Sequence, residues 1–228
     1  MSTAPLADRM RPKTLDTFVG QDHLLGKNRP LRQIIESEAL RSIILWGPPG
    51  SGKTTLAHLI AARRQADFVR FSAVTQGLPE LRKVIERAEG NERLGTPTII
   101  FIDEIHRWNK AQQDALLPHV ERGLLTLIGA TTENPSFEVN AALLSRAHTY
   151  RLQELSEESL RQILNDALSD SDNGLGAAQI KLTKDAEAAL INLADGDARA
   201  LLNILELAVQ NRGKDTLTPG DLERAVTK

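Results

Sequence analysis

Ser42-Ile43-Ile44-Leu45-Trp46-Gly47-Pro48-Pro49-Gly50-Ser51-Gly52-Lys53-Thr54-Thr55-Leu56-Ala57-His58-Leu59-Ile60-Ala61 carries three signals in succession. An apolar, strand-like run comes first, then a complete GxxxxGK(S/T) loop, then apolar residues at helical spacing. Strand, loop and helix in that order are the context a phosphate-binding loop requires. The loop's glycines let the backbone turn its N–H groups inward around phosphate oxygens, and the positive end of the following helix adds to the field. Gly47, Pro48, Pro49, Gly50, Ser51, Gly52, Lys53, Thr54 and Thr55 are thus the candidate nucleotide contacts. Lys53 is placed to reach the β- and γ-phosphates of a nucleoside triphosphate, and the Thr54 hydroxyl to hold Mg²⁺. The bland alternative, a Gly/Pro turn before a helix, does not account for both flanks.

Working outward, strand-like and helix-like segments alternate up to about residue 152. Candidate strands are Ser42–Trp46, Asp67–Ser72, Thr96–Ile102, Leu124–Ala130 and a short Thr149–Leu152. Between them fall helical patterns at Lys53–Arg64, Leu78–Glu89, Lys110–Glu121 and Asn140–Ser145. Alternation of this kind predicts a parallel sheet covered on both faces, here five-stranded. Ile99-Ile100-Phe101-Ile102 is wholly apolar, as a strand buried on both faces must be. After Leu152 the strand pattern stops. Ser156 reads as the cap of a helix to about Ser169, Asp170–Gly176 as a loop, and Thr183 as the opening of another helix. Asp197–Gln210 forms a third helix, and Thr218-Pro219 starts a short last one with proline at its first position. The expected architecture is an α/β nucleotide-binding domain over residues 1–152 and a small all-α lid over 153–228.

Composition narrows the class. The chain has 228 residues, 41% hydrophobic and 25% charged, the ordinary range for a globular protein. Having no cysteine, it has no disulfide, thiolate metal site or cysteine nucleophile. No apolar run approaches the ~20 residues that span a bilayer. Met1-Ser2-Thr3-Ala4-Pro5 lacks the basic and apolar regions of a signal peptide, so a cytoplasmic location and no membrane partner are expected. A formal charge of −2 gives no global nucleic-acid signature, so any such binding must use a local patch.

A second constellation is Thr98-Ile99-Ile100-Phe101-Ile102-Asp103-Glu104. Paired carboxylates at the C-terminal end of a buried strand lie where open α/β sheets bind ligands. Asp103 is expected to hold Mg²⁺, and Glu104 to orient or deprotonate the attacking water. A solvated Asp-Glu at a strand end is the alternative.

These motifs occur with Ile128-Gly129-Ala130-Thr131-Thr132, Leu144-Ser145-Arg146 and Gly196-Asp197-Ala198-Arg199, in the order and spacing of an AAA+ ATPase. The segment from Arg9 to Gln21 resembles the adenine-side box of the clamp-loader clade. More narrowly, Asp103-Glu104-Ile105-His106-Arg107-Trp108-Asn109-Lys110-Ala111-Gln112-Gln113-Asp114-Ala115-Leu116-Leu117-Pro118 closely resembles the RarA (MgsA) family, bacterial relatives of the Werner-helicase-interacting ATPase. So does Gly129-Ala130-Thr131-Thr132-Glu133-Asn134-Pro135-Ser136-Phe137-Glu138. The resemblance covers essentially the whole chain; Trp108 stands where that family has Phe.

The resemblance implies roles by position. Thr132, with Thr131 and Asn134 nearby, corresponds to the sensor that contacts the γ-phosphate or attacking water; a Thr pair capping a turn is the alternative. Arg146 corresponds to an arginine finger that reaches the next subunit's nucleotide in trans, and Arg199 to the lid sensor acting in cis. For both, an ordinary surface arginine is the alternative. Val19 and Gly20 are expected to border the adenine. His106 reads as a structural histidine or one that supports a catalytic residue from behind, since Glu104 already fills the role of base. The family has a further C-terminal region that helps hold its oligomer, and this chain stops about where the lid ends. Nucleotide binding is therefore expected to be intact and self-association weak.

The resemblance further implies a DNA-dependent ATPase acting in replication-fork maintenance, recombination and repair, on single-stranded, gapped or junction DNA. Replication proteins such as single-strand-binding protein are possible partners, and a bacterial cytosol or nucleoid is the expected setting. Polypeptide threading is disfavoured because Ala73-Val74-Thr75-Gln76-Gly77-Leu78-Pro79 offers no aromatic pore loop. A branch-migration motor ranks lower because Glu121-Arg122-Gly123 leaves no room for a hairpin before the fourth strand. A clamp-loader subunit also ranks lower. The rival from another class is a nucleotide-switched scaffold for replication proteins. Arg82, Lys83, Arg87, Arg107 and Lys110 are either phosphate contacts or a solvated face. Trp108 is either a base-stacking or a packing residue.

Overall fold

A computed structural model describes residues 4–37, 41–211 and 216–226. Met1–Thr3, part of the stretch read for a signal peptide, and the chain end at Lys228 lie outside the described residues. Short helices come first: α1 Leu6–Arg9, α2 Asp22–Leu25 and α3 Pro30–Glu36. Then follow β1 Ser42–Trp46, α4 Lys53–Arg63, β2 Asp67–Ser72, α5 Leu78–Arg93, β3 Thr98–Asp103, α6 Lys110–Glu121 and β4 Leu125–Thr131. Next are α7 Pro135–Glu138, α8 Ala141–Leu144, β5 Ala147–Arg151, α9 Glu157–Ser169, β6 Lys181–Leu182, α10 Lys184–Ala194, α11 Ala198–Gln210, β7 Thr216–Leu217 and α12 Pro219–Val226.

The chain divides into two compact units. The first in space comprises Gln21–Pro48 and Gly52–Gln153. It is built on a five-stranded sheet of order β2-β3-β4-β1-β5, parallel throughout. Ile43, Ile44 and Leu45 of β1, and Ile99 to Ile102 of β3, are fully buried, as strands covered on both faces require. Edge strand β5 buries Tyr150 alone. The register sets Ile43 beside Ile128 and Trp46 beside Thr131, so β1 and β4 end level with one another. Helix α6 starts from a reciprocal cap: Asn109 Oδ1 accepts from Gln112 N–H at 2.9 Å, and Gln112 Oε1 from Asn109 N–H at 3.0 Å. Only Arg122 to Leu124 join α6 to β4.

The second unit contains the described residues of Met1–Gly20, Pro49–Ser51 and Glu154–Lys228. Its core gathers Leu160, Leu164, Leu190, Leu201, Leu205 and Leu222, with Leu6 from the far end of the chain. Leu6 N–H is shared by both Glu206 carboxylate oxygens at 3.0 Å, and Arg9 donates to Asn173 O at 2.6 Å. The leading residues therefore pack with the C-terminal helices, a placement that linear order hides. Helices α9, α10 and α11 are capped by the side chains of Ser156, Thr183 and Asp197, residues the sequence marks as helix starts. The strand pattern does not stop entirely at Leu152: β6 and β7 form a two-residue parallel pair. Strands that short have no readable alternation. Helix α7, also unmarked in the sequence reading, is a single turn capped by Asn134.

Candidate nucleotide-binding and hydrolysis site

The loop, carboxylate and threonine residues marked in the sequence of the α/β unit lie at or just beyond C-terminal strand ends, whereas Arg146 precedes β5. The loop from Gly47 leaves β1, Asp103 and Glu104 leave β3, and Thr131 and Thr132 leave β4, which lies between the other two. Gly47 N–H donates to Thr131 O at 3.2 Å, tying the start of the loop to the end of β4. Gly47 has φ 149°, and a Cβ there would lie 2.3 Å from Leu152 O. At Gly52 the left-handed φ of 99° turns the chain into α4. Lys53 and Thr54 are buried, and the Lys53 ammonium donates to Gly47 O and Pro48 O at 2.7 Å each. Pro49–Ser51 pack with the second unit, and Thr55 is half-buried.

These donors fit a polyphosphate. A lysine ammonium inside the curl of the loop and an 11-residue helix beginning at that lysine both favour an anion. The carboxylate at Asp103 and the hydroxyl at Thr54 are hard oxygen donors of the kind Mg²⁺ takes. Among the described residues no group of three or more His, Cys, Asp or Glu forms a stand-alone metal site. Magnesium generally completes its shell with water and substrate phosphate, so one carboxylate and one hydroxyl suffice. Asp103 Oδ2 has Arg70 NH2 3.5 Å away.

Glu104 adopts the left-handed conformation, φ 52° and ψ 49°, and caps the single 3-10 turn Ile105–Arg107. That turn brings the His106 ring back to it, Nδ1 lying 3.2 Å from Glu104 Oε2. The same Nδ1 lies 2.8 Å from Thr131 Oγ1. Thr131 is fully buried and Thr132 exposed. The Asn134 side chain accepts from Ser136 N–H at 3.1 Å, capping α7. Sequence reading grouped it with the two threonines; its amide is committed to the helix start.

Arg146 follows α8, and its Nε lies 2.5 Å from Glu121 Oε1 at the end of α6. Its NH1 donates to Ala142 O and Ser145 Oγ at 3.0 and 2.7 Å. Arg199 is exposed in the first turn of α11 within the helical unit, behind the Asp197 cap. Val19 and Gly20 are half-buried in that same unit, with Leu155 against the Gly20 α-carbon. Of the candidate DNA contacts, Arg87 is paired with Asp67 through Nε at 2.5 Å. Trp108 is 3% exposed and meets Phe71 edge-on at 5.2 Å between centroids, which makes it a packing residue. Sequence reading missed Glu121, Thr131 as the histidine's partner, and buried Gln113. Gln113 donates to Trp108 O and accepts from Asn140 N–H, bracing the turn after β3 against α8.

Two family models match the chain. The ATPase family associated with various cellular activities (AAA) covers residues 43–155, and the AAA C-terminal domain covers 176–228. Replication-associated recombination protein A of Escherichia coli (strain K12) is 52% identical over 220 residues, 94% of this chain and 49% of that protein. Its Bacillus subtilis (strain 168) counterpart is 38% identical over 205 residues, 90% of this chain and 48% of that protein. ATPase WRNIP1 of Dictyostelium discoideum is 44% identical over 209 residues, 92% of this chain and 24% of that protein. The chain thus spans about half the length, or less, of these curated relatives. Among solved structures, the Thermotoga maritima RuvB Holliday junction branch migration motor superposes with a TM-score of 0.73 at 25% identity, over 96% of this chain and 72% of that one. With its loop, carboxylates and helical unit in AAA order and this homology along most of its length, the chain belongs to the RarA (MgsA) family of AAA ATPases.

Proposed function

We propose that this chain is the ATP-hydrolysing core of a RarA-type DNA-maintenance protein. The observation that carries the reading is the placement, at the C-terminal ends of the strands on either side of β4, of a buried lysine inside a glycine loop and a carboxylate pair. In this reading Gly47 to Thr55 bind the triphosphate of ATP, Lys53 neutralises its β- and γ-oxygens, and Val19 and Gly20 border the adenine. Thr54 and Asp103 would hold Mg²⁺, which when bound offsets charge on the phosphoryl oxygens. Glu104 orients and deprotonates the attacking water, and Thr132 positions it against the γ-phosphate. Arg199 serves its own subunit's nucleotide and Arg146 a neighbour's. An arginine supplied in trans raises turnover on the order of 10³–10⁵-fold, so hydrolysis should depend on assembly.

The substrate reading is DNA: single-stranded, gapped or junction. The names of the relatives point to replication and recombination, and the solved neighbour is a branch-migration motor. The three-residue connection from α6 to β4 leaves no hairpin, which favours binding or remodelling over branch migration. Self-association through an Arg146-containing interface is part of the same proposal. A nucleotide-switched scaffold for replication proteins is the second reading. It is favoured by Glu121, which engages Arg146 within the chain and so withholds it until a partner subunit arrives.

ATP turnover per subunit, measured against protein concentration with and without single-stranded and gapped DNA, tests both. Turnover that rises with concentration and with DNA, and disappears in Glu104→Gln and Arg146→Ala, is the expected result. Turnover that is concentration-dependent yet indifferent to DNA would select the scaffold.

A further inference from the structure

We infer that His106 is a positioning residue for Glu104, tying the carboxylate that activates water to Thr131 at the end of β4. This rests on the ATPase reading above. The His106 side chain is only 11% exposed, and it stands among three oxygen partners. Nδ1 lies 2.8 Å from Thr131 Oγ1 and 3.2 Å from Glu104 Oε2, while Nε2 lies 3.5 Å from Glu133 Oε1. Thr131 Oγ1 already accepts Glu133 N–H at 3.0 Å and has Glu133 O within 3.4 Å as an acceptor for its own proton.

These neighbours assign the imidazole tautomer. A lone pair on Nδ1 would face the Glu104 carboxylate at 3.2 Å, closer than Nε2 lies to Glu133 at 3.5 Å, so the ring proton resides on Nδ1, bonded to Thr131 Oγ1 and directed past Glu104 Oε2. The histidine then holds the carboxylate at one end and a fully buried threonine at the other. Glu104 needs such a hold. A non-glycine residue in the left-handed region costs about 1–2 kcal/mol, and such residues persist at functional sites only when their surroundings over-determine them. Arg107 N–H donates to Glu104 O at 2.8 Å, closing the turn that returns the ring. Thr131 O meanwhile receives the N–H of Gly47 at 3.2 Å. Hydrogen bonds run from the phosphate loop to β4 and from Thr131 to His106, and the 3.2 Å contact of His106 with Glu104 completes the series, so a shift of the loop or of the adjoining Thr132 reaches Glu104 through the imidazole. Sequence reading left His106 as structural or as a support behind a catalytic residue; the geometry gives it a specific atom to control.

The test compares the full chain with Glu104→Gln, His106→Ala, His106→Asn and His106→Gln at concentrations where wild-type turnover no longer rises. An asparagine amide nitrogen reaches the place of Nδ1, whereas a glutamine amide reaches that of Nε2. A misplaced reacting group costs up to roughly 100-fold, so His106→Ala should lose on the order of 10–100-fold in kcat with fluorescent ATP-analogue affinity unchanged. His106→Asn should recover much of the loss, and His106→Gln little of it. Nitrogen-15 NMR of the wild-type ring should show Nδ1 protonated. Wild-type kcat in His106→Ala, equal loss in Ala, Asn and Gln, loss of nucleotide affinity, or an Nε2-protonated ring each overturns the inference while the ATPase reading stands. A wild-type chain no faster than Glu104→Gln overturns both together.

Discussion

Gly47 and Gly90 respond in opposite directions to the same substitution. A methyl group on Gly47 meets Leu152 O at 2.3 Å, at a φ that side chains rarely adopt. That carbonyl cannot swing aside freely, because the Gln153 N–H in the same peptide plane is bonded to Gln21 Oε1 at 2.9 Å. Gly47→Ala should cost about 1–3 kcal/mol of stability and weaken ATP binding, read as a lower urea midpoint and a raised Kd. Gly90 lies inside α5 with nothing within 4 Å of an added methyl. There alanine removes chain entropy from the unfolded state and should add roughly 0.5–1 kcal/mol. Equal midpoints for the two variants would refute the close approach at Gly47. The motif alone predicts that glycine is needed at position 47; the Leu152 carbonyl supplies the local reason.

Elements begin where side chains take up the first free N–H groups. At α12, Asp221 Oδ2 accepts from Thr218 N–H at 2.8 Å and Thr218 Oγ1 at 2.7 Å. The Thr218 hydroxyl and then its N–H hold the Asp221 carboxyl below the usual carboxylate range. The folded pKa is thus lower than the unfolded one, about 3.9. Stability from this contact is fully present above that value and is lost as pH falls through the lower folded value. Asp221→Asn should therefore lower the urea midpoint at neutral pH and make no difference in strong acid, and NMR titration should show Asp221 ionising below the ordinary range. The same sign holds for Asp170, lowered first by Asn173 N–H, and for Glu80, lowered first by Gly77 N–H. All three are half-buried residues at helix ends, so their effects are local.

On the scale of the whole molecule, the leading segment belongs with the C-terminal helices. Leu6 is 0% exposed in a core otherwise drawn from residues beyond 154. Leu6→Ala should destabilise that unit by about 2–5 kcal/mol. Amide exchange in α10 and α11 should speed up, while exchange in β1 and β4 stays unchanged. Acceleration confined to residues 4–10 would mean that the segment is peripheral. Val19 and Gly20, proposed to border the adenine, lie in the unit that Leu6 anchors, so such a variant also asks whether nucleotide affinity follows that unit's integrity.

Much of the fold was legible because its signals are local. Apolar runs mark the central strands, capping residues mark α9, α10 and α11, and the loop that follows β1 announces its ligand by backbone chemistry within nine residues. Strand ends shifted by one or two residues, as at β3 and β5, where pairing with the neighbouring strand rather than the apolar pattern sets the limit. The two-residue strands and the one-turn helix α7 left no trace, since neither is long enough for a period, though α8 was marked at Asn140–Ser145. The sequence alone therefore determined the class, the phosphate loop and the identity of the paired carboxylates. Tertiary structure alone decided the sheet order β2-β3-β4-β1-β5. It also decided that Trp108 packs, that Glu121 holds Arg146, and that His106 joins Glu104 to Thr131 across 25 residues. Leu6 meets Glu206 across 200. The reason is physical: a motif is a property of neighbouring residues, whereas a hydrogen bond across the chain exists only once the sheet has brought its ends together.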